Sequence, residues 1–298
     1  MRARQSSAAF SRRRAGGFWI AAGLSACALL YAQQLPFEPS HVSGQSITGA
    51  FEGWFPNADG SFSLLLGYYN RNLRQELEIP PGPDNRIDPG GPDRGQPAHF
   101  LPGRQWGVFT IRVPKDFGGQ KLNWAITVNG KTTTIPMSLN PLYEVQPFRE
   151  ASGNQPPFIA FSERGPWVQG PAGATQTLTA ALAEAAELTV WVADDANVPL
   201  AGARPRTPAV TLSWSKFRGP GTVTFANPRP PAEKADFEAP PETKFAGKAH
   251  TSATFSEPGE YVLRVVANDW SGDGGHGFQC CWSNAQVKVS VKAARAAQ

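Results

Sequence analysis

The chain has 298 residues, among them 30 glycines and 28 prolines. Five of its 28 lysines and arginines lie in the first 14 residues, and the other 23 face 24 aspartates and glutamates, a formal charge of −1. A chain that is nearly neutral beyond its N-terminus has no electrostatic basis for binding nucleic acid or an anionic membrane surface. Its length predicts two domains of ordinary size.

Residues 1–32 have the pattern of an export signal. Five arginines come before residues 15–32, which are almost all apolar or small. This run is slightly shorter than the roughly 20 apolar residues of a membrane-spanning helix, so it predicts a signal peptide cleaved after Ala32. The mature protein is then periplasmic, on the cell surface or extracellular.

Lipidation near the end of the same segment is an alternative. Residues 24–27, Leu-Ser-Ala-Cys, resemble a bacterial lipobox, in which the cysteine becomes the lipidated N-terminus. Cys27 would then be the only attachment to a membrane. The residues after Cys27 remain apolar, where lipoproteins usually become polar, and this favours cleavage after Ala32.

The N-terminal half, residues 35–148, predicts a β-sandwich domain. Residues 47–55 and 61–70 flank a turn with Asp59-Gly60 at its tip, which predicts a hairpin. Asn129-Gly130 joins the alternating residues 122–128 to residues 132–135 in a second predicted hairpin. Residues 108–113 predict a further strand.

A long loop, residues 79–104, interrupts this half. It contains seven prolines together with several aspartates and arginines. Structureless loops of this length are uncommon in compact domains and are either functional or disordered. Recognition of a partner is one hypothesis, and internal pairing of the aspartates and arginines, which would hold the loop in place, is the favoured one. A linker is predicted at residues 149–157.

The C-terminal half, residues 158–292, alternates apolar and polar residues with a period of two, which is typical of strands with one buried face. Four of its strands are predicted from sets of apolar positions, and residues 293–298 are predicted to be a disordered tail. The sets are 188, 190 and 192; 210, 212 and 214; 261, 263, 265 and 267; and 287, 289 and 291.

The order of motifs in this half resembles the PKD-like branch of the immunoglobulin-type β-sandwich domains. The motifs are Val-Ala-Asp-Asp at 192–195, Val-Thr-Leu-Ser-Trp-Ser at 210–215 and Pro-Gly-Glu-Tyr-Val-Leu-Arg-Val-Val-Ala-Asn-Asp at 258–269. The resemblance implies that Trp214 is the core tryptophan and that Tyr261 forms the tyrosine corner. It also implies that residues 178–188 are extended, despite their helical composition.

The predicted fold class is therefore all-β, with two immunoglobulin-like β-sandwich domains after an N-terminal signal segment. The disulfide that joins two strands across many immunoglobulin domains has no cysteines at the matching positions, so the core depends on apolar burial. Such sandwiches host many unrelated roles, and function has to be argued from particular residues.

Acidic side chains follow two of the predicted strands at what should be the same pole of the sandwich. Oxygen ligands of this kind suit Ca²⁺, so a calcium site is one hypothesis. The favoured hypothesis is that these residues cap turns through hydrogen bonds to their own backbone, and then no cofactor is bound. The residues are Asp194, Asp195, Asn268, Asp269 and Asp273.

Cys280 and Cys281 are the only cysteines left if the leader is cleaved after Ala32. In an oxidising compartment we expect a disulfide between these neighbours, although strain makes such a bond easier to reduce. A bridge to another chain and two free thiols are the alternatives. With His276 they supply too few ligands to predict a metal site.

Five tryptophans are candidates for binding a ligand, because flat aromatic surfaces suit sugar rings. Trp191 has the wrong parity for the core, and the others lie near turns. The alternative is that several of them seal the contact between the two halves, since buried aromatic residues contribute much to interfaces. The candidates are Trp54, Trp106, Trp191, Trp270 and Trp282.

Motifs of known catalytic sites, such as Gly-x-Ser-x-Gly and His-Glu-x-x-His, do not occur in the chain. We therefore expect an exported protein that is not an enzyme and acts as a binding, adhesion or structural module, with a protein or glycan partner at the cell surface. A carbohydrate-binding module that uses exposed aromatic residues is the alternative. A hydrolase with its site at the domain junction is a third hypothesis.

Overall fold

A computed structural model describes residues 41–149, 153–197, 209–269 and 280–293 of the chain. Within these ranges the regular structure consists of 17 β-strands and one 3₁₀ turn, Pro141–Tyr143, so the all-β prediction is confirmed. No helix in the ranges described is long and apolar enough to cross a membrane. The predicted signal segment, Cys27, Trp270, Asp273 and residues 294–298 lie outside the described residues.

The N-terminal half contains eight of these strands in three sheets. The sheet orders are β1-β2-β6, β4-β7-β8 and β3-β5. The strands are β1 (Ile47–Pro56), β2 (Phe62–Asn70), β3 (Leu77–Glu78), β4 (Asn85–Asp88), β5 (His99–Phe100), β6 (Gly103–Val113), β7 (Leu122–Val128) and β8 (Lys131–Met137).

Both predicted hairpins of this half are confirmed. Strands β1 and β2 pair antiparallel, as do β7 and β8. At the second turn Asn129 and Gly130 both have positive φ, 52° and 73°. Two positive φ angles in succession are what a two-residue type I′ hairpin turn requires, and Asn-Gly is the dipeptide that adopts them most readily.

The N-terminal core is built around Trp124, which is completely buried. Its Nε1 donates to Oδ1 of Asn85 at 2.9 Å, and the amide of Asn85 in turn donates to the carbonyls of Ile79 and Pro97 at 2.7 Å each. One buried asparagine therefore joins the core tryptophan to two points of the 79–104 loop.

The C-terminal half contains nine strands in two sheets that face each other. The sheet orders are β10-β17-β16-β12 and β13-β15-β11-β9, with β14 paired to β15. The strands are β9 (Phe158–Ala160), β10 (Ala174–Ala181), β11 (Ala186–Asp194), β12 (Thr211–Arg218), β13 (Val223–Phe225), β14 (Glu233–Lys234), β15 (Phe245–Phe255), β16 (Gly259–Asn268) and β17 (Trp282–Lys292).

The predicted alternation in this half is confirmed, because the apolar residues at every second position of each strand are buried in one core between the two sheets. Trp214 lies in that core. The hydroxyl of Tyr261 donates to the carbonyl of Glu257 at 2.9 Å and accepts from the amide of Gly221 at 3.0 Å, as a tyrosine corner does. Leu178 lies on β10, which pairs in parallel with β17. Residues 178–188 are therefore extended at both ends, in β10 and β11, and turn between Ala181 and Ala186.

The sheet β10-β17-β16-β12 is covered on its outer face by the N-terminal half. Val262 packs against the N-terminal core, and Val266 is buried. Phe217, at a register shift between β12 and β16, belongs to the N-terminal core although it lies in the C-terminal half. The described residues from His41 onward accordingly group as one compact unit. The domain boundary at residues 149–157 stays a prediction.

Candidate functional site

A cleft of about 40 Å³ lies where the N-terminal half meets this covered sheet face. We call it the junction cleft. Besides two aliphatic side chains it is lined by the polar and aromatic residues Gln105, Trp106, Ser213, Ser215, Arg264 and Trp282.

The floor of the junction cleft comes from three neighbouring strands of the covered sheet. Ser215 of β12 pairs with Arg264 of β16, and Ser213 pairs with Val266 one step along. Side chains two residues apart on a strand point to the same face. The floor is therefore the face of β12 and β16 opposite to the one that carries Trp214 and Tyr261.

The roof comes from β6, which bulges at this point. Leu66 of β2 pairs with Phe109, but Tyr68 pairs with Gln105, so β6 has two more residues than β2 in this interval. The two extra residues place Trp106 and Gly107 outside the regular pairing of β6 with β2. Bulges re-aim side chains in this way and are over-represented beside functional sites.

Gly107 is required at the tightest point of the junction. It has φ of 48°, and a Cβ atom there would collide with the ring of Trp282. A residue without a side chain is the only one that meets both conditions without strain.

A buried carboxylate holds the N-terminal side of the junction. Glu52 lies at a second register shift, in β1, and its side chain is 2 % exposed. Its Oε1 accepts from Nη2 of Arg104 at 2.6 Å, and its Oε2 accepts from the amide of Gly107 at 2.8 Å. Burial raises the pKa of Glu52, although Arg104, the Gly107 amide and Arg264 act in the opposite direction.

An arginine and an asparagine hold the other side. Nε and Nη2 of Arg264 donate to Oδ1 of Asn284 at 3.1 and 2.8 Å. Nδ2 of Asn284 donates to the carbonyl of Gly107 at 2.7 Å and to that of Pro171 at 3.0 Å. The peptide groups of Gly107 are thus bound by Glu52 from one half and by Asn284 from the other.

Two tryptophans lie along the junction cleft at different depths. Trp106 is half-buried, and the guanidinium carbon of Arg104 lies 3.9 Å from the centre of its ring. Trp282 is 2 % exposed, and its Nε1 makes no hydrogen bond to any of the described residues. A buried donor left without an acceptor costs about 1–3 kcal/mol, which the packing of the indole ring against Gly107 has to offset.

The long loop of residues 79–104 is fixed by contacts inside the chain. Both Nη atoms of Arg218 donate to the carboxylate of Asp93 at 2.9 and 2.8 Å. Arg86 pairs with Asp88 at 2.9 Å within the loop itself. These contacts agree with the hypothesis of internal Asp–Arg pairing, and one of them reaches across to the C-terminal half.

A second ion-pair group lies beside the same loop. Lys216, from β12, donates to Oε1 of Glu78 at 2.7 Å, and Nδ1 of His99 lies 2.8 Å from the same oxygen. Burial acts to raise the pKa of Glu78, but the hydrogen bonds from His99 and Lys216 outweigh it and the pKa is lowered. Lys216 thereby adds a second charged link between the halves.

The predicted acidic pole is brought together in part. Oδ2 of Asp194 accepts from the amide of Ala196 at 2.7 Å, and Oδ1 of Asp195 accepts from that of Asn197 at 2.8 Å. These contacts agree with the turn-capping hypothesis for both aspartates.

Two of these acidic groups are deeply buried. The carboxylate of Asp269 accepts a hydrogen bond from the side-chain amide of Asn154. Burial, with smaller contributions from Asp195 and Asp269, raises the pKa of Asp194 to about 7. Within the described ranges no group of three or more His, Cys, Asp or Glu side chains is arranged to hold a metal ion. Asn268 is buried beside them, and the calcium hypothesis, which includes Asp273, stays a prediction.

Cys280 and Cys281 are joined in a disulfide in this structure, and both are buried. They directly precede Trp282 at the start of β17. The pair therefore lies next to the residue that forms the deep end of the junction cleft. Its redox state in the cell stays a prediction.

The tryptophans predicted as ligand-binding surfaces lie in different environments. Trp54 is buried, and its Nε1 donates to the carbonyl of Asn140 at 2.8 Å. Trp282 is buried at the junction, so neither offers an exposed ring face. Trp191 lies on the outer face of β11, as its parity predicts, with Nζ of Lys248 5.0 Å from its ring centre.

The polar residues of the junction were missed by the sequence reasoning, although one signal was available. Strand β16 is apolar at Val262 and Val266 as well as on its inner face. A strand that is apolar on both sides is expected to be buried on both sides. This pattern predicts that Arg264, which lies between the two valines, is inside an interface.

Comparisons with known proteins give structural neighbours alone. No protein-family model matches the chain, and no match is found among curated proteins. Domains 4 and 5 of the S-layer protein SbsC match with a TM-score of 0.23 and 10 % identity, over 83 % of this chain and 98 % of that one. The D00-D0 domain of intimin matches with a TM-score of 0.23 and 12 % identity, over 82 % and 99 %.

The adhesin InvE of Yersinia pseudotuberculosis matches with a TM-score of 0.22 and 12 % identity, over 82 % of this chain and 58 % of that one. TM-scores at this level carry no argument about function. The function therefore has to be argued from the junction cleft itself.

Proposed function

We propose that this chain is an exported, non-catalytic binding module whose two β-sandwich halves act as one rigid body. The observation that supports this most directly is the lining of the junction cleft. Among the described residues that line it, Arg264 is the one charged side chain, and none is an Asp, Glu, His, Cys or Lys. Such a lining can bind and orient a ligand, but these residues include no group that exchanges a proton near neutral pH, as general acid–base catalysis needs.

The rigidity of the body supports the same proposal. Glu52, Gly107 and Asn284 form a continuous hydrogen-bonded connection from one half to the other. A site built on strands that are held in this way is pre-organised, and pre-organisation lowers the entropic cost of binding. A structural or adhesive module needs the same property, because it has to transmit force without opening.

Export to the cell envelope is part of the proposal. The arginine-rich and apolar pattern of residues 1–32 supports it, and a disulfide between Cys280 and Cys281 suits an oxidising compartment. The C-terminal half is proposed to be a PKD-like domain on the basis of its motif order, its Trp214 core position and its Tyr261 corner.

Carbohydrate binding is the second candidate function. It is favoured by one observation, that Trp106 and Trp282 line the same cleft together with donors from Ser213 and Ser215. Aromatic rings beside hydroxyl and guanidinium donors are a combination that suits a polar ring with apolar faces.

The test is a glycan array and a surface-protein overlay with the mature protein, together with a reducing-end assay on the same polysaccharides. The proposal predicts saturable binding to at least one class and no release of reducing ends. Cleavage of any polysaccharide would contradict it in favour of the hydrolase hypothesis. A protein that stays in the cytoplasm after cell fractionation would contradict the export part.

A further inference from the structure

We propose that strand β10 is the surface by which two copies of this chain associate. The two strands pair antiparallel, centred on Thr177, so that the sheet β10-β17-β16-β12 continues from one copy into the next. The second copy is then related to the first by a two-fold axis, the commonest symmetry of protein oligomers. This inference goes beyond the proposed binding function and does not depend on the junction cleft.

Strand β10 lies at the edge of that sheet and pairs on one side, in parallel with β17. A strand at the edge of a sheet presents a row of unpaired N–H and C=O groups. Within the ranges that the structure describes, no loop and no side chain makes a hydrogen bond to the backbone of residues 174–180 from the free side. The free side of β10 is therefore a template on which another strand can pair.

The opposite edge of the same sheet, strand β12, is protected. The amide of Trp214 donates to the carbonyl of Pro228 at 2.8 Å. The carbonyl of Phe217 accepts from the amide of Ala98 in the N-terminal half at 3.0 Å. The pairing of β12 with β16 also shifts its register after the charged residue Lys216. Covering loops, charged residues and bulges are devices by which proteins keep edge strands from pairing, and β10 has none of them among the described residues.

The sequence of β10 suits pairing with a second copy of itself. Residues 174–181 read Ala-Thr-Gln-Thr-Leu-Thr-Ala-Ala, with no charged residue and no proline. The register with β17 is continuous over the whole strand, so β10 has no bulge. Like charges directly opposite each other destabilise a strand pair, and two identical uncharged strands avoid that repulsion in every register.

The exposed side chains of β10 favour one register. Thr175, Thr177 and Thr179 are exposed, whereas Leu178 packs against the core between the two sheets. Antiparallel pairing centred on Thr177 places Thr177 opposite itself and Thr175 opposite Thr179 of the second copy, so that three threonine pairs form. A centre one residue away forms two. Cross-strand threonine pairs stabilise antiparallel sheets, and the centre at Thr177 is therefore preferred.

The contact is small, so the dimer is weak and reversible. One strand of each copy takes part, whereas a stable protein interface has roughly 20–30 residues a side. Sedimentation equilibrium of the mature protein between about 1 and 500 µM tests the association. The average mass should rise from that of one chain to that of two and then stay constant, because a two-fold contact closes on itself. A mass of one chain at every concentration, or a mass that continues to rise beyond two chains, would overturn the inference.

Thr177→Lys tests whether β10 is the contact. Because Thr177 is exposed, the substitution leaves the single chain folded, but it places two ammonium groups opposite each other in the dimer. The dissociation constant should rise about fivefold or more. Thr224→Lys, at the exposed centre of β13 in the other sheet, is the matched control and should leave the dissociation constant unchanged. Thermal unfolding of both variants verifies that they are folded.

Thr177→Cys tests the register. Residues directly opposite in an antiparallel pair have Cα atoms about 4.5–5.5 Å apart, which is within the range of a disulfide, so two copies should crosslink on mild oxidation. Thr175→Cys lies opposite Thr179 of the second copy and should not crosslink. Crosslinking of Thr175→Cys in place of Thr177→Cys, or unchanged association of a folded Thr177→Lys protein, would contradict the proposal. Binding of an unrelated extended peptide to β10 by a chain that stays a monomer would assign this edge to another partner instead.

Discussion

The two outer faces of the C-terminal sandwich differ in polarity and in burial, although both belong to the same fold. The face of β11 and β15 is polar, with His250 and Glu187 paired at 2.8 Å and Lys248 over the Trp191 ring. The face of β12, β16 and β17 is covered by the N-terminal half and carries Arg264 and Trp282. A charged residue on the first face is solvated, whereas one on the second has to be bound by protein or by ligand.

Function is therefore to be sought at the covered face. A solvated charge on the open face contributes little energy to binding or stability. A charge at the covered face acts in a poorly hydrated environment, where each hydrogen bond is worth more and each missing partner costs more. Substitutions in the core, the covered face, the acidic pole and the open face should therefore cost less stability in that order.

The largest effect is expected in the core that both faces share. Trp214→Ala removes a buried indole between the two sheets, and the unfolding free energy should fall by roughly 3–5 kcal/mol. Urea unfolding followed by far-ultraviolet circular dichroism measures it. A loss below about 1 kcal/mol would show that strand β12 does not have the register described.

The next effect concerns the covered face. Glu52→Ala leaves Arg104 without its carboxylate and the Gly107 amide without its acceptor. Removing one partner of a buried ion pair typically costs about 3 kcal/mol or more. Thermal unfolding should show the loss, and Glu187→Ala, which removes an exposed contact with His250, is the matched control with an effect near zero.

The acidic pole predicts a dependence of stability on pH. The pKa of Asp194 is about 7 in the folded chain and near 4 in an unfolded one, so folding takes up a proton between these values. The unfolding free energy should therefore fall as pH rises, by roughly 2 kcal/mol between pH 5 and pH 8. Urea midpoints at the two pH values measure it.

Asp194→Asn is the variant that isolates this effect, because it cannot titrate and should flatten the pH profile. Glu52, whose pKa is also raised, contributes in the same direction, so the comparison is best repeated on a Glu52→Gln background. A profile of unchanged slope in Asp194→Asn would mean that another group takes up the proton.

The smallest effect is expected on the open face. Lys248→Ala removes the ammonium that lies 5.0 Å from the ring of Trp191, a contact worth about 0.5–1 kcal/mol at an exposed site. The same measurement of unfolding serves, with Lys248→Met as a control that retains the aliphatic stem. A loss above about 2 kcal/mol would place this face at a contact and not in solvent.

The sequence predicts best what depends on neighbours in the chain. The Asn129-Gly130 turn and the alternation that buries Leu263 and Val265 follow from local geometry, and both are confirmed. The capping by Asp194 is equally local, since its acceptor oxygen and the Ala196 amide are two residues apart.

The junction could not be predicted in the same way. Gly107 and Asn284 are separated by 177 residues, and nothing in either neighbourhood indicates the other. The bulges at Glu52 and at Trp106–Gly107 have no unique sequence pattern, and they decide which side chains face the cleft. The sequence feature that indicates that this face is covered is the pair of valines on the outer side of β16, Val262 and Val266.

The covered face should make the two halves unfold as one body, and differential scanning calorimetry of the mature protein and of Glu52→Ala is the test. We predict a single cooperative transition whose midpoint moves down as a whole, by roughly 2–4 °C for each kcal/mol lost. Two resolved transitions, of which the one from the C-terminal half stays unmoved in Glu52→Ala, would contradict it.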